Sequence, residues 1–218
     1  MTELTLTLEG EQVVVPVRCA IVAGWTGRDR AAVEHHMAEL EALGVPRPSS
    51  APVFYRVSAS RLTTAEVIES PAASSGEVEP VLLHHGGELW VGAGSDHTDR
   101  EVETYGVAVS KQLCDKPIAR RLWRYRDVAA HWDRLELRSW IGADELYQEG
   151  TLDGLMHPDT LLGLARPAVE DATLMFCGTF AAIGGIRPAT PFRYELRDPV
   201  LDRVIEGRYA VCELPLVS

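Results

Sequence analysis

Residues Ser74 to Glu103 read SSGEVEPVLLHHGGELWVGAGSDHTDREVE. Two short apolar runs, Val78 to Leu83 and Leu89 to Ala93, flank His84-His85-Gly86-Gly87, and a glycine-containing connection of this length predicts a β-hairpin. With Leu83 opposite Glu88 across the turn, Glu79 faces Gly92 and Glu77 faces Gly94. Asp96 then lies just past the rim, beside Glu77. Glu77 and Glu79 are two apart on a strand, so their side chains leave one face about 7 Å apart. Three carboxylates meeting at one point repel by several kcal/mol per close pair at an effective dielectric of about 20, unless a cation or protons lie between them. Oxygen-only ligands suit Mg2+, Mn2+ or Ca2+ better than zinc, and three of them leave positions open for water or substrate oxygens. The plainer alternative makes Glu77 and Glu79 the solvent face of an edge strand. Asp96 and the neighbouring glycines favour the ion.

Outward from that stretch, the 218 residues suit a single domain spanning 1–218, and 46% hydrophobic residues are enough for a sizeable core. A formal net charge of -11 argues against nucleic acid or an anionic membrane as partner. There is no apolar run of bilayer length and no cleavable leader pattern. Cys19, Cys114, Cys177 and Cys212 are far apart and form no C-x-x-C pair, which reads as reduced core thiols in a cytoplasmic protein.

The chain is dominated by strand signals. Leu4 to Leu8 and Val13 to Val17 form a hairpin around Glu9-Gly10-Glu11, and Cys19 to Ala23 is a buried strand. Asp29 can cap a helix from Arg30 to Leu43, ending at Gly44. On it His36 and Glu39 share a face, so the carboxylate can orient the imidazole as a general base requires, although such pairs are also common on helix surfaces. Val53 to Val57 is a strand carrying Arg56 toward the carboxylates or away from them. Ser95 to Arg100 reads as a polar loop. Lys111 stands between apolar residues, where an unpaired cation is costly. Arg120, Arg121, Arg124 and Arg126 form a basic run that reads as a solvated face or subunit contact. Leu135 to Ile141 alternates as a half-buried strand, Thr160 to Ala165 is a short helix, and Thr173 to Cys177 is a buried strand. Phe192 to Leu196 and Val204 to Val211 close the chain as a hairpin. The glycine-rich Ala182 to Pro188 loop has neither the Rossmann nor the Walker spacing.

In this order the motifs resemble the fumarylacetoacetate hydrolase family. Glu77-Val78-Glu79 is similar to its Glu-x-Glu strand, and Ser95-Asp96-His97-Thr98-Asp99-Arg100-Glu101 to its Asn-Asp-x-(Ser/Thr)-x-Arg-Asp segment, with Ser95 in place of Asn and Glu101 in place of Asp. Lys111 resembles the active-site lysine that follows. Gln148-Glu149-Gly150 resembles the Gln-x-Gly segment. Gly178-Thr179-Phe180 resembles a late Gly-Thr-Pro turn, with Phe in place of Pro. His36-Met37-Ala38-Glu39 resembles the His-x-x-Glu lid helix.

The resemblance runs from about Gly24 onward. It implies a mainly β (α+β) fold, a mixed β-sandwich roll with a few short helices, in which residues 1–23 are N-terminal strands and 24–218 the catalytic core. It also implies a homodimer. The activity implied is divalent-metal-dependent cleavage of a C–C bond in a 2-oxo or 1,3-dicarbonyl acid. Glu77, Glu79 and Asp96 would hold Mg2+ or Mn2+, and Lys111 would add a second positive charge to the enolate. Thr179 beside Gly178, with Arg100 or Arg56, would hold the substrate carboxylate, while His36 and Glu39 would activate water. Decarboxylation, isomerisation or hydration of a small 2-oxo acid such as oxaloacetate is the alternative, as is a non-catalytic protein that binds an ion or ligand. A zinc site on His84, His85 or His97 is disfavoured because adjacent strand residues point to opposite faces.

Overall fold

The computed structural model describes residues 1–42, 47–166 and 168–217, without the side chains of His36, Glu39, Leu40 and Ala42. The chain opens with the hairpin Thr2–Leu8 (β1) and Glu11–Val17 (β2), then Cys19–Gly24 (β3), the helix Arg30–Ala42 (α1) and Val53–Val57 (β4). Asp29 Oδ1 caps α1 by accepting from the N–H groups of Ala31 and Ala32 at 2.9 and 3.1 Å. The expected end of that helix at Gly44 falls outside the described residues. Short strands follow at Leu62–Thr63 (β5), Val67–Ser70 (β6) and Ser74–Ser75 (β7). The central hairpin is Val78–His85 (β8) and Glu88–Ser95 (β9), and Thr98–Asp99 (β10) leads into Arg100–Tyr105 (α2) and Val107–Leu113 (α3). Lys116–Pro117 (β11), Arg121–Arg124 (β12), Tyr125–Val128 (α4), Glu136–Ile141 (β13), Glu145–Thr151 (β14) and Pro158–Leu164 (α5) come next. Thr173–Phe176 (β15), Phe192–Asp198 (β16) and Arg203–Glu213 (β17) complete the chain.

Eight strands form a mixed sheet in the order β2-β1-β12-β9-β8-β15-β3-β4, and five form a second in the order β14-β13-β16-β17-β6. Alternation along the strands divides the core in two. Leu82, Met175, Ile21 and Arg56 are successive cross-strand partners on one face, whereas Val81, Phe176, Val22 and Tyr55 are partners on the other. Leu82, Met175 and Ile21 pack with Phe192, Tyr194, Leu196 and Ile205 of the second sheet. Val81, Phe176 and Val22 pack with Leu4, Leu6, Val15 and Val17 where the large sheet curls over its own first hairpin. This is the mainly β sandwich roll anticipated above.

The register of the central hairpin differs from expectation. His85 pairs with Glu88 and Leu83 with Trp90, so Glu79 lies opposite Gly94 and Val78 opposite Ser95. Gly86 and Gly87 both have positive φ, +64° and +75°, the conformation of a two-residue turn whose twist matches the flanking strands. The loop is therefore Gly-Gly alone, and both histidines are absorbed into β8.

Candidate metal centre

The open end of the β8–β9 hairpin brings the three acidic residues together. Carboxylate oxygens of Glu77, Glu79 and Asp96 lie within 4.8 Å of one another. The shifted register carries this out directly: Glu77 O accepts from Asp96 N at 2.9 Å, and Glu77 N donates to Ser95 Oγ at 3.2 Å. The solvent-face alternative for the two glutamates does not hold, since Glu79 and Asp96 are buried and the Glu77 side chain is 18% exposed. The segment from Ser95 to Asp99, expected as a polar loop, is likewise buried. Its polar groups are met from within: the His97 ring nitrogens contact Tyr209 Oη and Ser74 Oγ, each at 2.9 Å, and Asp99 caps α2. Both ring nitrogens of His97 are thus engaged by hydroxyl groups rather than turned to the carboxylates. His84 and His85, at the turn, are at the far end of β8.

Cations surround the cluster. Lys111, near the end of α3, donates to Asp96 Oδ2 and lies 3.6 Å from Glu77 Oε2. Arg100 is 3.3 Å from Glu77 Oε1, while its Nε donates to Ser75 Oγ at 2.7 Å and its Nη1 to Glu103 at 2.9 Å. A second lysine, Lys116 on β11, lies 3.0 Å from Asp96 Oδ1 and donates to His97 O. Burial alone would raise Asp96, but the two lysines outweigh it and bring its pKa down to about 2. Burial lowers the Lys111 ammonium, yet Asp96, Glu77 and Glu79 more than reverse this, and Lys111 stays charged. Lys116 moves the other way: burial lowers it, Asp96 only partly compensates, and neighbouring Lys111 adds to the fall.

Glu79 is the uncompensated member. Burial, reinforced by Asp96 and Glu77, raises its pKa well above the carboxylate range against the opposing pull of Lys111 and the Gly178 N–H. An all-oxygen set whose innermost carboxylate lacks a direct cation partner fits a hard divalent ion.

Local geometry fixes Glu79 from behind. Gly178 N donates to Glu79 Oε2 at 2.6 Å, and Gly178 has φ +102° with the Thr26 hydroxyl 1.7 Å from where a Cβ would stand. The Thr179 hydroxyl donates to Val78 O and accepts from Gln148 Nε2, both at 2.7 Å. Buried Gln148 also accepts from Val78 N at 2.9 Å and donates to Phe180 O at 2.7 Å, stitching the 178–180 turn to the strand between the two glutamates. Gly178 and Thr179, expected at the substrate, thus lie against β8 beside the cluster.

The other expected site residues divide. Lys111 and Arg100 join the cluster. Arg56 is exposed on edge strand β4, on the face of Leu82 and Ile21, opposite to the Val81 face that Glu79 shares by alternation. His36 and Glu39 lie on α1, and their side chains are outside the described residues. Arg120 and Arg121 line a surface cleft of about 550 Å3 with Arg193 and Arg208; Arg124 pairs with Glu9, and Arg126 with Glu88. All four cysteines are free; Cys114 and Cys177 are buried as expected, whereas Cys19 is half-buried and Cys212, on β17, is exposed. Among the described residues no helix is long and apolar enough to cross a membrane.

The fold is that of the fumarylacetoacetate hydrolase family. A protein from Oleispira antarctica described as a fumarylacetoacetate isomerase/hydrolase superposes with a TM-score of 0.69 at 16% identity, covering 96% of this chain and 100% of its own. Fumarylpyruvate hydrolase from Pseudomonas aeruginosa, in complex with Mn2+ and pyruvate, gives 0.67 at 17% identity, covering 97% of each chain. A 2-keto-3-deoxyarabinonate dehydratase gives 0.61 at 11% identity, covering 93% of this chain and 77% of its own. No curated protein matches the chain by sequence. By sequence, the chain belongs to the family described as protein of unknown function DUF2848, whose model matches residues 23–209.

Proposed function

We propose that the protein is a divalent-metal-dependent enzyme that cleaves a C–C bond in a small 2-oxo or 1,3-dicarbonyl acid, of acylpyruvate or fumarylacetoacetate-like form. The observation that carries this reading is the convergence of Glu77, Glu79 and Asp96 within 4.8 Å, on a fold shared with a fumarylpyruvate hydrolase that binds Mn2+ and pyruvate. These three residues would hold Mg2+ or Mn2+, and the bound ion supplies Lewis-acid stabilisation to the oxygens of an oxo acid.

The chain's own groups do the rest. Lys111, kept charged by its carboxylate neighbours, offers a second positive charge to an anionic substrate oxygen. Arg100, tied to Ser75, Glu103 and Glu77, holds Glu77 in place. From their spacing in the sequence, Glu39 would orient the His36 imidazole, which would remove a proton from the water that attacks the carbonyl. A lyase reading, without attack by water, draws support from the dehydratase that shares the fold.

Turnover of a panel of acylpyruvates and oxaloacetate with Mg2+ or Mn2+, products identified, tests both. Metal-dependent hydrolysis lost in Glu79→Gln and in His36→Ala supports the hydrolase. Decarboxylated product that survives His36→Ala selects the lyase, and no metal-dependent turnover of any member contradicts both.

A further inference from the structure

Lys116 and its partner Asp96 both have fully buried side chains, each 0% exposed. Lys116 arrives from an unrelated part of the chain, because β11 pairs in parallel with β5, Lys116 with Leu62 and Pro117 with Thr63. A buried ammonium is costly unless paired, and Asp96 already has Lys111 on its other oxygen. One aspartate thus carries two lysines, where one would neutralise it.

The reason lies in the total charge. Four carboxylates, Glu77, Glu79, Asp96 and Glu103, meet three cations, Arg100, Lys111 and Lys116, through contacts of 3.6 Å or less or within the acidic cluster. Fully ionised, the group has one surplus negative charge. A divalent ion turns that into one surplus positive charge, and without Lys116 the loaded group would be neutral.

We propose that Lys116 sets the charge of the loaded site: it weakens the hold of the three carboxylates on a divalent ion and leaves the positive surplus that draws an anionic oxo acid. This rests on the metal reading above. Lys116 touches Asp96 and the main chain rather than the substrate, so it is a positioning residue acting through Asp96.

The test measures two equilibria with opposite expected signs in the full-length protein. Mn2+ binding is read from the electron-spin-resonance signal of the free ion, and pyruvate binding to the Mn2+-loaded protein from water-proton relaxation. Removing a unit charge this close to a divalent ion makes Lys116→Met bind Mn2+ about tenfold more tightly and pyruvate about tenfold more weakly. Lys116→Gln, a polar replacement, moves both in the same directions. A merely structural role would loosen Asp96 and weaken both constants. Both weakened, both unchanged, or loss of folding in both variants would overturn the proposal while leaving the metal reading intact. Absence of Mn2+ binding to the unmutated protein would overturn the metal reading and this proposal with it.

Discussion

Asp198 and Asp96 both have fully buried side chains, in contrasting surroundings. Asp198, at the end of β16, is matched donor for acceptor: Oδ1 meets His131 Nε2, Val200 N and Leu201 N at 3.0, 3.0 and 3.1 Å, and Oδ2 accepts from Arg203 Nε at 3.1 Å. Burial would raise its pKa, but these partners outweigh it and hold the carboxyl below its ordinary value. It is one charge, locally satisfied, closing the turn between β16 and β17. Asp96 also has cations, Lys111 and Lys116, but it sits in a crowd, with Glu77 and Glu79 brought against it and Glu79 pushed toward protonation. A structural carboxylate gathers donors to itself, whereas this cluster gathers further carboxylates along with its donors. Folding alone gives no reason to hold such an excess, so the cluster is where binding is expected.

The sharpest way to break that contrast is to remove charge from each centre in turn. Glu79→Gln is expected to lower Mn2+ affinity by about 100-fold or more and to abolish metal-dependent turnover. Because burial and its neighbours already push Glu79 toward its neutral form, a neutral amide in its place should show no loss of stability in urea unfolding. Gly178→Ala should cost about 2–4 kcal/mol in the same assay, since a Cβ collides with Thr26 and the positive φ is strained.

Asp198→Asn should cost about 1–3 kcal/mol through lost charge-assisted hydrogen bonds, with Mn2+ binding unchanged. The sign of its pH dependence follows from the lowered pKa. The contribution of Asp198 is fully present above the unfolded carboxylate value of about 4 and is lost as pH falls through the folded value. Unfolding free energies of the two proteins should thus converge in acid. The smallest effect is expected at the turn end of the hairpin, where the His84 side chain is 33% exposed and 3.8 Å from Asp171. His84→Ala should change stability by no more than about 0.5 kcal/mol and leave Mn2+ binding as it was.

Much of this was legible in the chain. Glu77 and Glu79 two apart on a strand, a glycine turn, and Asp96 past the rim were enough to assemble the cluster, because strand alternation and hairpin return are local rules. The register was misjudged because Gly86 and Gly87 can form the whole turn without the histidines, and only the backbone angles choose between loop lengths. Arg56 could not be assigned a face because its direction depends on the pairing of β4 with β3. Lys116 was missed, and Gln148, noted only within a Gln-x-Gly segment, was given no role, for a related reason: their partners lie 20 and 70 residues away in the chain, at Asp96 and Val78. The available signal was a lysine between Cys114 and the apolar Pro117 to Ala119, of the kind that drew attention to Lys111. For Gln148 it was a polar residue beside Tyr147 in a strand. Thr179 was placed at the substrate by resemblance, and the hydrogen bonds of its hydroxyl to Val78 and Gln148 were not legible in the chain because both partners are distant in sequence.

The most direct test of the account is a Mn2+ titration of the unmutated protein and Glu79→Gln at neutral pH, followed by electron spin resonance, with Asp198→Asn as the structural control. The account predicts one bound ion per chain in the unmutated protein and in Asp198→Asn, and a loss of about 100-fold or more in Glu79→Gln. Equal binding by all three proteins, or binding by none, would contradict it.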